Sequence, residues 1–184
     1  MESTALILID IQKAFNDLNY WGGKRNNPNA EENASRLLEH WRSRKLPVFH
    51  IKHNSTSPKS PLAPGQPGNE IKEIVRPLNG EPVIGKEVNS AFIGTDLKER
   101  LDKQGIRSLV IVGLTTDHCV STTTRMAGNL GFKTIVVADA TATFDRKGPF
   151  GQIFPASVMH DTTLASLHEE FATVLDTDHV LTNF

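Results

Sequence analysis

The 184-residue chain holds one cysteine, Cys119, and the residues around it allow two readings. The apolar run Ser108–Leu114 passes through Gly113 into Thr115-Thr116-Asp117, residue types that favour helix N-caps, so Cys119 falls in the first turn of the following helix. Unpaired N–H groups and the positive end of a helix dipole favour a thiolate there, so the thiol is expected below the pKa of about 8.5 of free cysteine. The same N–H groups point to where an oxyanion would form. The other reading is a buried cysteine packed as a small apolar side chain.

Two charges accompany the thiol. Asp10 closes the run ALILID and Lys86 closes VIGK, which puts both at the carboxyl rim of a sheet, where Cys119 also opens. Burying either alone is expensive, so the two are expected to pair. In a catalytic arrangement Lys86 holds Asp10 and favours the thiolate, while Asp10 takes the thiol proton as general base and returns it to a leaving amine. A structural salt bridge at the strand ends satisfies the same residues, and their types and spacing leave both readings open.

A small-molecule site also needs apolar walls and a few polar groups. Phe15, Trp21 and Phe92 are the wall candidates, with Asn89 and Gln12 as hydrogen-bonding groups unless they satisfy local backbone. His53 ends a strand and either lines the pocket or is a solvated rim histidine. His118 adjoins Cys119, but neighbouring helical residues face different directions, so it reads as a pocket wall rather than the catalytic base. His50 and His53 lie three apart on a strand, point to opposite faces and make poor joint metal ligands, so no metal is expected. His160 reads as structural or interfacial.

The elements that must position these residues follow from periodicity. Short Val- and Ile-rich runs alternate with segments of helical period, which predicts a parallel sheet covered by helices on both faces. The strands are expected at Ala5–Ile11, Pro47–Ile51, Val83–Lys86, Ser108–Leu114, Thr134–Ala138 and Ala172–Leu175. Helices are expected at Ala30–Lys45, Thr95–Gln104, His118–Asn129 and Ala156–Phe171, within one domain over residues 1–184. Asn54–Asn69, with four prolines and two glycines, must be a loop, either pocket wall or lid or a plain surface excursion. Thr141–Pro155 is a second irregular stretch that could serve similarly.

Composition narrows the function. With 20 basic against 21 acidic residues and no run of like charges, neither nucleic acid nor a membrane surface is the expected partner, and a small molecule is. No apolar stretch reaches the roughly 20 residues of a membrane span. Met1-Glu2-Ser3-Thr4 carries no basic n-region, so no secretory leader is expected and the protein reads as cytoplasmic. A nucleotide-binding module is weakened because no G-x-G-x-x-G follows the first strand. A thiol sensor is weakened because Cys119 has no resolving cysteine.

The segments ALILIDIQKAF (5–15), VIGKEVNSAFIGTDL (83–97) and GLTTDHCVSTTTRMAGNLGF (113–132) resemble the isochorismatase-like cysteine hydrolases. So do SPLAPGQPGNEI (60–71), VVADATATFDR (136–146) and the last helix and strand from Val158 to Val174. The resemblance implies a three-layer, Rossmann-like α/β fold with a six-stranded, mostly parallel sheet. It implies a triad of Asp10, Lys86 and Cys119, an oxyanion hole from the N–H groups of Thr115 and Cys119, and a cis peptide bond at Leu114–Thr115. The implied activity is hydrolysis of a small amide, carbamoyl or ureido compound through a thioester, with no cofactor. The alternative is the vinyl-ether hydrolysis of the isochorismate branch, which needs only Asp10 and lacks the cysteine. The nicotinamidase branch binds metal through Asp-x-His and a second His; FHIKHNS (49–55) has no aspartate and departs from that pattern. A homo-oligomer, dimer or higher, is also implied, with Phe150, Phe154 and Met159 as candidate contacts.

Overall fold

Strands buried on both faces need apolar side chains at consecutive positions, and β1 (Thr4–Ile9, TALILI) is buried at every one. The computed structural model describes residues 4–184; Met1, Glu2 and Ser3, on which the expectation of no secretory leader partly rests, lie outside the described residues. The further strands are β2 (Val48–His53), β3 (Val83–Lys86), β4 (Ser108–Leu114), β5 (Lys133–Ala142), the short pair β6 (Arg146–Lys147) and β7 (Ile153–Phe154), and β8 (Thr173–Leu175). Six of them form one sheet in the order β3-β2-β1-β4-β5-β8, with every pairing parallel. The chain winds outward from β1 through β2 to β3, then returns to lay β4 on the other side of β1. That reversal opens a crevice beyond the carboxyl ends of β1 and β4, where open α/β sheets bind ligands.

Helices cover both faces. The helices are α1 (Leu18–Trp21), α2 (Ala30–Ser43), α3 (Leu97–Lys103), α4 (Ser121–Asn129), α5 (Ala156–Leu167) and α6 (Thr177–Asn183). Leu6 and Leu8 of β1 pack with Leu37, Leu38 and Trp41 of α2 and Val180 of α6. Ala5, Ile7 and Ile9 face the opposite layer, where α3, α4 and α5 contribute Leu101, Ala127 and Leu167. Trp41 is fully buried and still satisfied, because its indole N–H donates to the Thr4 carbonyl oxygen at 3.0 Å. Among the described residues no helix is long and apolar enough to cross a membrane.

The structure moves several expected boundaries. The first strand ends at Ile9 rather than Ile11, because Asp10 takes φ +50° and turns the chain out of the sheet. The second runs on to His53, the fifth spans Lys133–Ala142, and the last begins at Thr173. The helix expected at His118–Asn129 is one turn of π-helix, Thr116–Val120, followed by α4. The helices expected to reach Lys45 and Phe171 stop at Ser43 and Leu167, and the one expected at Thr95–Gln104 is Leu97–Lys103. α6 was not foreseen, because seven residues ending the chain carry too little periodicity to read. Thr141–Pro155 is not wholly irregular; it holds the end of β5 and the β6–β7 hairpin.

Gly113 lets β4 lie against β1 beside the future site. It has φ +121°, and a Cβ there would meet the Ile9 carbonyl oxygen at 2.0 Å. The β4–β5 register shifts at the same place, between Ile111 and Gly113. Gly113→Ala is therefore expected to destabilise the protein by more than about 1 kcal/mol, read as a lowered urea midpoint at unchanged slope.

Candidate active site

A lysine ammonium has three N–H donors, and burial demands an acceptor for each. Lys86, whose side chain is fully buried at the end of β3, finds them at the sheet's carboxyl rim. Its Nζ lies 2.6 Å from Asp10 Oδ2, 3.2 Å from Cys119 Sγ and 3.1 Å from His53 Nδ1. Asp10 follows β1, His53 ends β2 and Cys119 sits in the π turn after β4, so four neighbouring strands each deliver one group. An oxygen of Asp10, a ring nitrogen of His53 and the Cys119 sulfur all lie within 4.8 Å of one another. Those three types could ligate a metal ion, but the ammonium already sits among them as their shared cation. His50, the other histidine of β2, turns away and bonds Glu81 at 2.9 Å, so the two do not meet.

The electrostatics correct one expectation. Burial pushes the Cys119 thiol well above its ordinary pKa, the Asp10 carboxylate adds to that, and the Lys86 ammonium only partly opposes it. The resting sulfur is a thiol, not the thiolate expected at a helix start. A neutral thiol needs a base, and among the described residues Asp10 Oδ1 is a buried oxygen with no hydrogen-bond partner. Asp10 stands in the left-handed region, an uncommon backbone state that points its carboxylate at the group.

A cavity of about 110 Å³ opens over the sulfur. Phe15, Trp21, His53, Asn89, Thr115 and His118 line it, together with Asp10 and Cys119. Phe15 and Trp21 stack with centroids 4.6 Å apart, backed by Phe144 at 6.2 and 6.3 Å. Phe92 does not belong there: it packs on Phe132 at 5.8 Å, within the core layer beneath α3 and α4. Gln12, completely buried, does not face the cavity as a polar group either. Its amide clamps the backbone of His53, accepting from the N–H at 2.9 Å and donating to the carbonyl at 3.0 Å. His160 is structural, bonding Thr116 Oγ1 through Nδ1 at 2.9 Å.

Four further residues, Leu62, Asn69, Asp117 and Arg146, shape the site in roles their local sequence did not signal. Leu62, from the proline-rich loop, is a cavity wall; Asn69 fixes it by donating to the Leu62 and His53 carbonyls at 2.7 and 2.9 Å. The loop is thus a packed wall. Asp117, expected as a helix cap, makes no cap bond and instead receives Arg146 at 2.7 and 3.1 Å. Burial alone would raise the Asp117 pKa, but the bonds from Arg146 and Thr143 hold it below the usual carboxylate range. Arg146 also donates to Thr115 Oγ1 and to the Trp21 carbonyl, which ties the turn that carries Cys119 to the aromatic wall. The Leu114–Thr115 peptide bond within that turn is cis.

Comparison with known proteins puts this geometry in context. The isochorismatase domain family matches residues 4–179. The isochorismatase family protein YrdC of Bacillus subtilis, itself uncharacterised, is 50% identical over 183 residues, covering 100% of this chain and 97% of the relative. A crystal structure from Chromobacterium violaceum, assigned to the isochorismatase family of hydrolases, superposes with a TM-score of 0.95 at 42% identity, over 99% of this chain and 93% of the other. The N-carbamoylsarcosine amidase of Thermoplasma acidophilum superposes with a TM-score of 0.76 at 26% identity, over 97% and 98%.

Breaking the buried ion pair from one side leaves an uncompensated charge. Lys86→Met is therefore expected to cost about 3–5 kcal/mol of unfolding free energy. Asp10→Asn placed in the same chain should recover most of that loss, and urea denaturation of the single and double variants measures the coupling.

Proposed function

The chain belongs to the isochorismatase family, and from that premise we propose that it hydrolyses the C–N bond of a small amide, carbamoyl or ureido compound with Cys119 as nucleophile. The observation that carries this reading is the ammonium of Lys86 held between the Asp10 carboxylate and the Cys119 sulfur, at the floor of an aromatic cavity.

Attack begins with a thiol, so its proton moves to Asp10 as the sulfur adds to the substrate carbonyl carbon. Lys86 stays protonated and offsets the negative charge that the sulfur and carboxylate share. The tetrahedral oxyanion is assigned to the backbone N–H groups of Thr115 and Cys119, at the turn braced by Arg146. Asp10 then gives its proton to the departing nitrogen, the C–N bond breaks, and ammonia or an amine leaves behind a thioester. A water molecule that loses a proton to Asp10 adds to the thioester carbonyl; the proton returns to sulfur and the acid product is released. One water is consumed and each group ends in its starting state.

Retaining a cysteine beside Asp10 favours this chemistry over ether hydrolysis, which needs the carboxyl group alone. An assembly of identical subunits belongs to the same proposal. It is supported by Phe150, 92% exposed, which together with Phe154 and Val158 leaves an apolar surface near the β6–β7 hairpin.

The test is ammonia release from a panel of small amides, ureides and carbamoyl compounds, nicotinamide included. Cys119→Ala should lose turnover by about 10⁴-fold or more and Asp10→Asn by about 10²–10⁴-fold, with wild-type rates unchanged by chelator. Turnover retained in Cys119→Ala would remove the thiol from the mechanism and leave ether hydrolysis through Asp10 as the reading.

A further inference from the structure

Charge in the cavity wall limits what may enter. Resting on the amide-hydrolase reading, we propose that the cavity selects substrates whose acyl portion is small and uncharged, because the two cations bonded to its wall are each already paired with a carboxylate.

Two fixed cations approach the cavity. The three N–H donors of Lys86 are taken by Asp10, Cys119 and His53, which leaves none for a substrate carboxylate. Arg146 is paired in the same way: Nε and Nη2 bond the two oxygens of Asp117, Nη2 also reaches the hydroxyls of Thr115 and Thr143, and Nη1 donates to the Trp21 carbonyl. Each cation is therefore cancelled by its own carboxylate, Asp10 for Lys86 and Asp117 for Arg146.

The histidines add no positive charge. An imidazole nitrogen that faces an ammonium must offer its lone pair, so His53 Nδ1 is unprotonated and the ring proton sits on Nε2. His53 is thus a neutral hydrogen-bond donor in the wall. Burial also disfavours charge on His118 at the mouth, although Asp117 pulls the other way. The rest of the wall used here, Phe15, Trp21 and Leu62, is apolar.

A substrate carboxylate would lose its hydration in this wall and meet no free cation in return. A neutral acyl group would trade water for aromatic and aliphatic contact, with His53 and Asn89 as uncharged polar partners. Size acts in the same direction: at about 110 Å³ the cavity is small and favours a short acyl group.

Matched pairs test the idea, since an isopropyl group and a carboxylate have nearly the same shape. Isovaleramide is compared with malonamate, and isobutylurea with N-carbamoylglycine, by calorimetric binding to the wild type and to Cys119→Ala and by kcat/KM for ammonia release. The neutral member of each pair is expected to bind at least tenfold more tightly. Equal or tighter binding of the carboxylate member, or binding of neither, overturns the proposal. The two readings fail separately. Neutral preference in binding without ammonia release would sink the hydrolase reading alone, whereas faster release from the carboxylate members would sustain hydrolysis and sink this one.

Discussion

A buried ammonium is tolerated only where each of its protons meets an acceptor, and Lys86 imposes that requirement on the whole carboxyl rim of the sheet. Asp10, His53 and Cys119 answer it from three other strands or the turns that follow them, at 2.6, 3.1 and 3.2 Å. Strand order therefore matters chemically. Because β1 lies between β2 and β4, with β3 beyond β2, four chain segments far apart in sequence bring their ends to one point. The same contact bears on the sulfur: burial and the Asp10 carboxylate push the thiol's pKa up, and the ammonium only partly opposes them.

The turn that carries Cys119 is held by a second ion pair rather than by a cap. Asp117 and Arg146 neutralise each other near the mouth, and the spare donors of Arg146 fasten Thr115 and the Trp21 carbonyl. Gly113 supplies the close approach of β4 to β1 that puts this turn beside Asp10. A Cβ at that position would press on the backbone of the strand that leads into Asp10.

Around these pairs the cavity is apolar, and its shape comes from segments without regular structure. Trp21 turns its indole N–H to the Ala14 carbonyl at 2.8 Å and lays its ring on Phe15. The proline-rich loop is held on the site by one buried amide, Asn69, which bonds both the loop at Leu62 and the strand end at His53. Side-chain amides of this kind replace the backbone pairing that proline removes. The result is a fixed wall whose charges cancel in pairs, from which the preference for an uncharged acyl group follows.

The sequence alone determined the layers of the fold and singled out Asp10, Lys86 and Cys119 as the residues at the sheet's carboxyl rim. Runs such as ALILID and SLVIVGL are too apolar for anything but buried strands, and a carboxylate or lysine ending such a run must be at the rim, so Asp10 and Lys86 were legible from local pattern. Cys119 was legible because it is the only thiol and follows a strand through a tight turn. Tertiary structure decided what depends on partners distant in the chain. The thiol's resting state follows from the burial and the Asp10 charge around it, which no local helix-start rule contains. Phe92 went to the core because Phe132, 40 positions later, stacks against it. Asp117 became half of an ion pair because Arg146 folds back over it, and Leu62 became a wall because Asn69 pins its loop. Local spacing fixes which face a residue shows and how far along its element it stands; only the folded chain determines what stands opposite, and for charged and polar groups that neighbour sets the chemistry.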